Sequence, residues 1–347
     1  MATVPLVLGA AAIGNLYRPV SDEDAAEIVE LAWEAGVREF DTAPHYGLGL
    51  SERRLGAALA GRDRDSYRLS TKVGRLLEAN PDFTGQDDDE GFAVPATLRR
   101  RRDYSAEGVR ESHAASLARL RIDRIDTLYL HDPEGMLDQA LGEGLPELAR
   151  MKAEGLVSRI GIGSKDLDAL AEAIDTGLVD VAMVAGRYTL LEQPVLERVF
   201  PAARRHGTEI VAVGVFNSGL LATSPPSPDA HYEYGPVPAD IFARAVALAE
   251  VCAEFGVELP HAAVQFAMLH PLVTSVAVGI GRTRHVAPNV RWANEQVPAE
   301  LWSALVERGL VPAEAFRDPS CPISNCGIRG PLFSGPRHCR SETGDSA

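Results

Sequence analysis

Short aliphatic and β-branched bursts alternate along the chain with longer stretches whose apolar residues recur every three to four positions. VPLVLG, ending at Gly9, reads as a first strand. SDEDAAEIVELAWEAG then reads as a helix. Ser21 caps it, acids fill its first turn, Ile28, Leu31, Ala32 and Ala35 share one face, and Gly36 stops it. The pairing recurs as VREFD with SERRLGAALAG, YRLSTK with SAEGVRESHAASLARL, RIDTLYLH with GEGLPELARMKAEG, and VSRIGIG with KDLDALAEAIDTG. VDVAMVAG pairs with PVLERVFPAARRHG. TEIVAVG is followed by helices over Ala239–Phe255 and HAAVQFAMLH, and VTSVAVG by a helix near TRHVAPNVRWAN. Eight such units with almost uninterrupted apolar strands predict a parallel sheet covered on both faces, and eight is the number that closes a (β/α)8 TIM barrel. An open doubly wound sheet is the alternative. It would carry a glycine-rich fingerprint after the first strand, which GAAAIG matches poorly.

The expected organisation is a single α/β barrel over residues 1–315, with a partly disordered tail over 316–347 that is rich in Pro, Gly and Ser. Two connections are long for a compact domain, 75–103 and 217–238. Both follow strands and so should overhang the C-terminal mouth, as lids or as plain insertions. Composition sharpens this only at the edges. With 34 basic and 49 acidic residues the formal charge is −15, which disfavours nucleic acid and anionic membrane as partners. No apolar run approaches the ~20 residues of a membrane helix. MATVPLVLG lacks a basic leader and reads as a strand, so a cytoplasmic location is expected. The cysteines, Cys252, Cys321, Cys326 and Cys339, form no disulfide framework. His338 beside Cys339 matches no familiar zinc spacing, so no metal is expected.

The candidate chemistry lies at strand ends. Asp41 closes the second strand, Lys72 the third and His131 the fourth, and Tyr46 follows Asp41 in the adjoining loop. In a barrel these meet at the rim where catalytic residues sit. A phenol ordinarily titrates near ~10, too high for a neutral-pH base. A neighbouring ammonium lowers that value, and a lowering by about 3 pH units requires about 4 kcal/mol. Lys72 would act on Tyr46 in this way, Asp41 would hold Lys72 charged, and His131 would orient a substrate oxygen. Such a phenol can exchange a proton with an alcohol or carbonyl oxygen while hydride moves at the adjoining carbon. His45 is a minor candidate for shaping the pocket.

FDTAPHYGLGLSERRLG, STKVG and LHDP resemble the segments that carry the catalytic groups of the aldo-keto reductases, in the right order over about Leu6 to Asn294. The resemblance implies a (β/α)8 barrel using NAD or NADP, with a catalytic tetrad of Asp41, Tyr46, Lys72 and His131. GNLYR, AGRYTLLEQ, FNSGLLA and RRDYSAEGVRES are similar, more narrowly, to the D-threo-aldose 1-dehydrogenase (L-fucose dehydrogenase) branch, to which plant L-galactose dehydrogenase and a pyridoxal dehydrogenase are related. That implies oxidation of a sugar's C1 hydroxyl to a lactone.

The resemblance places Gly163 and Ser164 at the nicotinamide amide, where the family usually offers Ser-Asn, and Tyr188 near the cofactor. It places Gly214, Phe216, Ser218 and Leu220 at the pyrophosphate. Gly279, Arg282, Arg284 and Asn289 fall at the adenosine end, with His285 at the position of the family's usual basic residue. NAD or both cofactors are therefore expected, a small sugar is the expected partner, and the protein is a monomer or homodimer. An NADPH-dependent aldehyde or ketone reductase and a cofactor-binding regulatory subunit remain as alternatives.

Overall fold

A computed structural model describes residues 6–233 and 235–316. Expectations for the tail from 317 onward, including Cys321, Cys326, His338 and Cys339, lie outside the described residues. The strands in chain order are β1 (Leu6–Gly9), β2 (Glu39–Asp41), β3 (Arg68–Val73), β4 (Arg75–Ala79), β5 (Leu98–Arg102), β6 (Thr127–His131), β7 (Arg159–Ser164), β8 (Val181–Ala185), β9 (Glu209–Val213), β10 (His231–Tyr232), β11 (Gly235–Pro236) and β12 (Val273–Gly279). Eight of them form a closed parallel ring in the order β1-β12-β9-β8-β7-β6-β3-β2. The ring closes at β1, where Gly9 is in register with Asp41 on one side and Gly279 on the other. This is the (β/α)8 barrel, and the doubly wound alternative falls away.

Alternate strand residues serve two cores, which is why the strands read as continuous apolar runs. Leu6, Leu8, Phe40, Leu128, Ile160, Ile210 and Val276 face outward under the helices. Val7, Tyr129, Val181, Met183, Val211 and Ala277 fill the barrel interior. One step toward the C-terminal rim, the inward positions of β2, β3 and β6 are Asp41, Lys72 and His131, all buried. The apolar filling gives way to ionisable groups at that level.

The first helix, Asp22–Glu34, begins as the sequence requires, with the Ser21 hydroxyl accepting the Asp24 amide at 3.0 Å. The long connections differ from plain loops. Within 75–103, β4 and β5 pair antiparallel over their full length, Arg75 with Arg102 through Ala79 with Leu98. The segment beyond the hairpin then crosses to the loop after β1, where Leu16 bridges Phe92 and the Tyr17 amide donates to the Gly91 carbonyl at 2.9 Å. Residues 217–238 contain the short β10–β11 pair. A helix over Ala299–Glu307, unforeseen from the sequence, packs Leu301, Trp302 and Leu305 into the outer core. Among the described residues no helix is long and apolar enough to cross a membrane.

Candidate active site

β2 and β3 are adjacent and in register, so Asp41 and Lys72 are delivered to one point of the rim. The Lys72 ammonium lies 2.6 Å from Asp41 Oδ2 and also donates to the Thr42 carbonyl at 2.9 Å. Ser70 donates to the other Asp41 oxygen at 2.7 Å. Burial alone would discharge the ammonium, but Asp41 and Tyr46 outweigh it and hold the Lys72 pKa above its usual value. Lys72 Nζ sits 4.6 Å from the centroid of the Tyr46 ring.

The Tyr46 phenol departs from the expectation of a lowered pKa. Burial pushes it up, and this outweighs the pull of the Lys72 charge and hydrogen bond, with Asp41 adding to the rise. In the protein alone Tyr46 is therefore a neutral phenol at physiological pH. Burying the phenol beside the ammonium costs its charged form more than the ammonium returns.

His131 stands edge-on to Tyr46, with ring centroids 5.8 Å apart. Burial, then the charges of Arg75 and Lys72, hold its pKa well below 6.5, so the imidazole is neutral. Its Nδ1 is buried and has no hydrogen-bond partner. Tyr104 fixes the backbone behind it, donating its hydroxyl to the carbonyls of His131 and Asp132. Tyr104 in turn fits because residue 74 is glycine: φ there is +99°, and a Cβ would lie 2.0 Å from the Tyr104 ring. His45 packs between Tyr46, His131 and Phe92 at 5.9, 5.4 and 5.1 Å. Burial, then Arg75 and Arg100, lower its pKa to about 2, so it too is neutral.

The remaining predicted residues divide. Gly163 pairs with His131, and a Cβ on it would lie 3.8 Å from Lys72 Cε, so this backbone borders the cluster. Ser164 is buried, its hydroxyl donating to Glu134 at 2.8 Å and accepting from the Asp166 amide. Gly214 and Ser218 take left-handed backbone at φ 68° and 57°, and Phe216 is partly exposed beside them. Gly279 ends β12 with open space where a Cβ would be. Arg282 and Arg284 are exposed, with Arg18 from the loop after β1 nearby and donating to the Gly281 carbonyl. Their charges, after burial, lower the His285 pKa.

Two of the residues turn their side chains away from the rim. Tyr188 is 1% exposed, packed on Phe200 and Phe266 at 5.1 and 5.0 Å, and its hydroxyl donates to the Ala315 carbonyl at 2.9 Å. Its side chain belongs to the outer core. Leu220 is fully buried in the same core. In both cases strand order located the loop correctly but said nothing of which way the side chain turns.

Three buried oxygens along the arc from β6 to β12, Glu134 Oε2, Asn217 Oδ1 and Asn289 Oδ1, have no hydrogen-bond partner. The orphaned acceptor oxygens and open glycine backbone fit a polar ligand that carries amide and hydroxyl donors, and the arginines near β12 fit its anionic groups. Glu134, Asn217 and Arg18 were missed from the sequence. Asn217 stands between Phe216 and Ser218, both singled out, and Glu134 lies three residues after His131, so only orientation was lacking.

A parallel barrel with a paired lysine, a phenol and a neutral imidazole at its C-terminal rim defines a hydride-transferring oxidoreductase. Residues 5–308 match the model of the Aldo/keto reductase family, and the chain belongs to that family. It is an oxidoreductase acting on CH–OH groups with a nicotinamide cofactor. It is 50% identical over 315 residues to the D-threo-aldose 1-dehydrogenase of Pseudomonas sp, covering 90% of this chain and 96% of that one. It is 34% identical over 329 residues to the pyridoxal 4-dehydrogenase of Microbacterium luteolum, covering 90% and 95%. Among solved structures it is similar to an aldo-keto reductase from Bacillus halodurans in its holo form. The TM-score is 0.72 at 25% identity, over 89% of this chain and 92% of that one.

Proposed function

We propose that the protein oxidises the C1 hydroxyl of an aldose such as L-fucose or another D-threo-aldose to the lactone, using NAD or NADP. The observation that carries the chemistry is the buried Lys72–Asp41 pair, 2.6 Å apart, set beside the Tyr46 ring at the barrel rim. The 50% identity to a D-threo-aldose 1-dehydrogenase supports the sugar.

In this reading Tyr46 takes the proton from the C1 hydroxyl as the C1–H bond breaks and the C1–O double bond forms. Lys72, held charged by Asp41, stabilises the phenolate that makes this transfer possible. Neutral His131 hydrogen-bonds the reacting oxygen and orients it. The oxidised nicotinamide, when bound, accepts the hydride. Gly163 and Ser164 would hold its amide end. Gly214, Phe216 and Ser218 would hold its pyrophosphate, and Gly279, Arg282, Arg284 and Asn289 its adenosine end.

Purified protein mixed with NAD or NADP and L-fucose, D-arabinose or L-galactose should show growth of reduced-cofactor absorbance. Turnover of simple aldehydes with NADPH but of no aldose would sink the sugar reading. One observation favours that second reading, a general aldehyde or ketone reductase. The raised pKa keeps Tyr46 protonated at neutral pH, which suits a proton donor.

A further inference from the structure

Beside His131 lies a group of charged side chains that neither the proton transfer nor the cofactor arc uses. Arg75, 6% exposed, is the first residue of β4. One of its terminal nitrogens donates to Asp132 Oδ2 at 2.7 Å, and the other lies 3.4 Å from both Glu90 Oε2 and His45 Nδ1. Asp132 Oδ2 is also 3.6 Å from His131 Nε2. Arg100, from β5, approaches the other Glu90 oxygen at 3.4 Å and donates to the His45 carbonyl at 3.0 Å.

The two carboxylates remain partly open to solvent, with side-chain exposures of 34% for Asp132 and 43% for Glu90. Three side chains more than nine-tenths buried in the same group keep a nitrogen without a partner, Arg75 Nε, Arg100 Nε and His131 Nδ1. A purely structural ion cluster would satisfy its buried donors, because a buried donor left unpaired has lost its water without gaining a partner. Here the guanidinium fixes two carboxylates about the imidazole expected to meet the reacting oxygen, and their solvent-facing edges accept hydrogen bonds only.

We propose that Glu90 and Asp132, spaced and oriented by Arg75, form the subsite that reads the hydroxyl groups of the polyol substrate. This rests on the aldose reading above. Carboxylates are acceptor-only, so they select donors, and a sugar presents a row of hydroxyl donors at fixed spacing where a simple alcohol presents one. A site built to pair with a hydroxyl rejects the analogue that lacks it, because the buried polar group is then left unpaired. Glu90 and Arg75 come from the segment between β3 and the third long helix, Ala106–Leu120, and Asp132 from the end of β6. The 75–103 insertion is thereby assigned to substrate choice rather than to the chemistry.

The test uses the wild type, Glu90→Gln and Asp132→Asn, assayed on an aldose that the wild type oxidises and on its monodeoxy analogues. Each variant should lose about tenfold to a hundredfold in kcat/KM on the parent sugar, chiefly through KM, as expected for a lost hydrogen bond to a charged acceptor. That loss should vanish for one deoxy analogue, in which the hydroxyl and its acceptor are already uncoupled. The cofactor dissociation constant, read by protein fluorescence, should not move. Equal losses across the whole series, or none on the parent sugar, overturn the subsite while leaving the aldose reading in place. A wild type that oxidises no aldose overturns both.

Discussion

The proposed chemistry turns on Tyr46. Its phenol is neutral in the protein alone because burial wins over Lys72. Oxidation needs the proton acceptor, and a group with a raised pKa supplies more of it as pH rises. The rate of aldose oxidation under limiting substrate should therefore climb by about one order per pH unit through the neutral range and continue above pH 8. Reduction, which needs the protonated phenol, should stay level there. A pH profile of kcat/KM in each direction checks this, and an oxidation rate independent of pH between 6 and 9 would count against Tyr46 as the base. Tyr46→Phe should lower turnover by at least about a thousandfold, the loss of an acid–base group plus its oxygen. Cofactor affinity, measured by fluorescence titration, should stay within about threefold. The placement of Asp41, Lys72 and His131 was legible because these stand at or next to strand ends, where register alone brings them to the rim. The sign of the phenol's shift was not. It depends on how much water the fold removes, and no spacing in FDTAPHYG encodes that.

Secondary structure follows the same rule. The barrel strands were legible because apolar residues run through them without interruption, and the helices because apolar positions recur on one face. β4 and β5 escaped because their alternation is between charges. Arg100 turns inward to a bidentate pairing with Asp88, while Arg99 and Arg101 bind Glu78 at the surface. A hydropathy pattern sees four arginines and reads a loop. The same holds for 217–238, which is held by the Tyr232 hydroxyl on Glu192 at 3.0 Å and by Glu233 on Arg187 and Lys165 at 2.7 and 2.9 Å. Close approach between helices is another feature that a propensity scale misses. Gly56 lies inside the helix Leu50–Leu59, where alanine would ordinarily be favoured by up to about 1 kcal/mol. A Cβ at 56 would lie 2.1 Å from the Leu120 carbonyl oxygen at the end of the neighbouring helix. Gly56→Ala should therefore destabilise by about 1–3 kcal/mol rather than stabilise. A lower urea midpoint with unchanged m-value would show it, and an equal or higher midpoint would refute the close packing.

Across the whole molecule the charge is −15, yet the ligand its cofactor arc fits is an anion. Long-range repulsion is screened beyond about 8 Å at physiological salt, whereas guanidinium contacts act within that distance. Arg18, Arg282 and Arg284 gather around His285 at the end of the barrel where β1 meets β12, so the local field there opposes the global one. The His285 pKa is held below its usual value by partial burial and by these arginines. Any discrimination of NADP from NAD must then come from the arginines. If Arg282 pairs with the additional phosphate, Arg282→Ala should weaken NADP by about tenfold, the value of one charge-assisted contact, and NAD by less than about threefold. Raising the salt concentration from 50 to 500 mM should likewise weaken NADP more than NAD in the wild type, and that excess should shrink in the variant. Fluorescence titrations of both cofactors against both proteins measure all four constants. Parallel losses for the two cofactors would place Arg282 on the shared pyrophosphate instead, and no loss for either would leave it a solvated surface residue on an acidic protein.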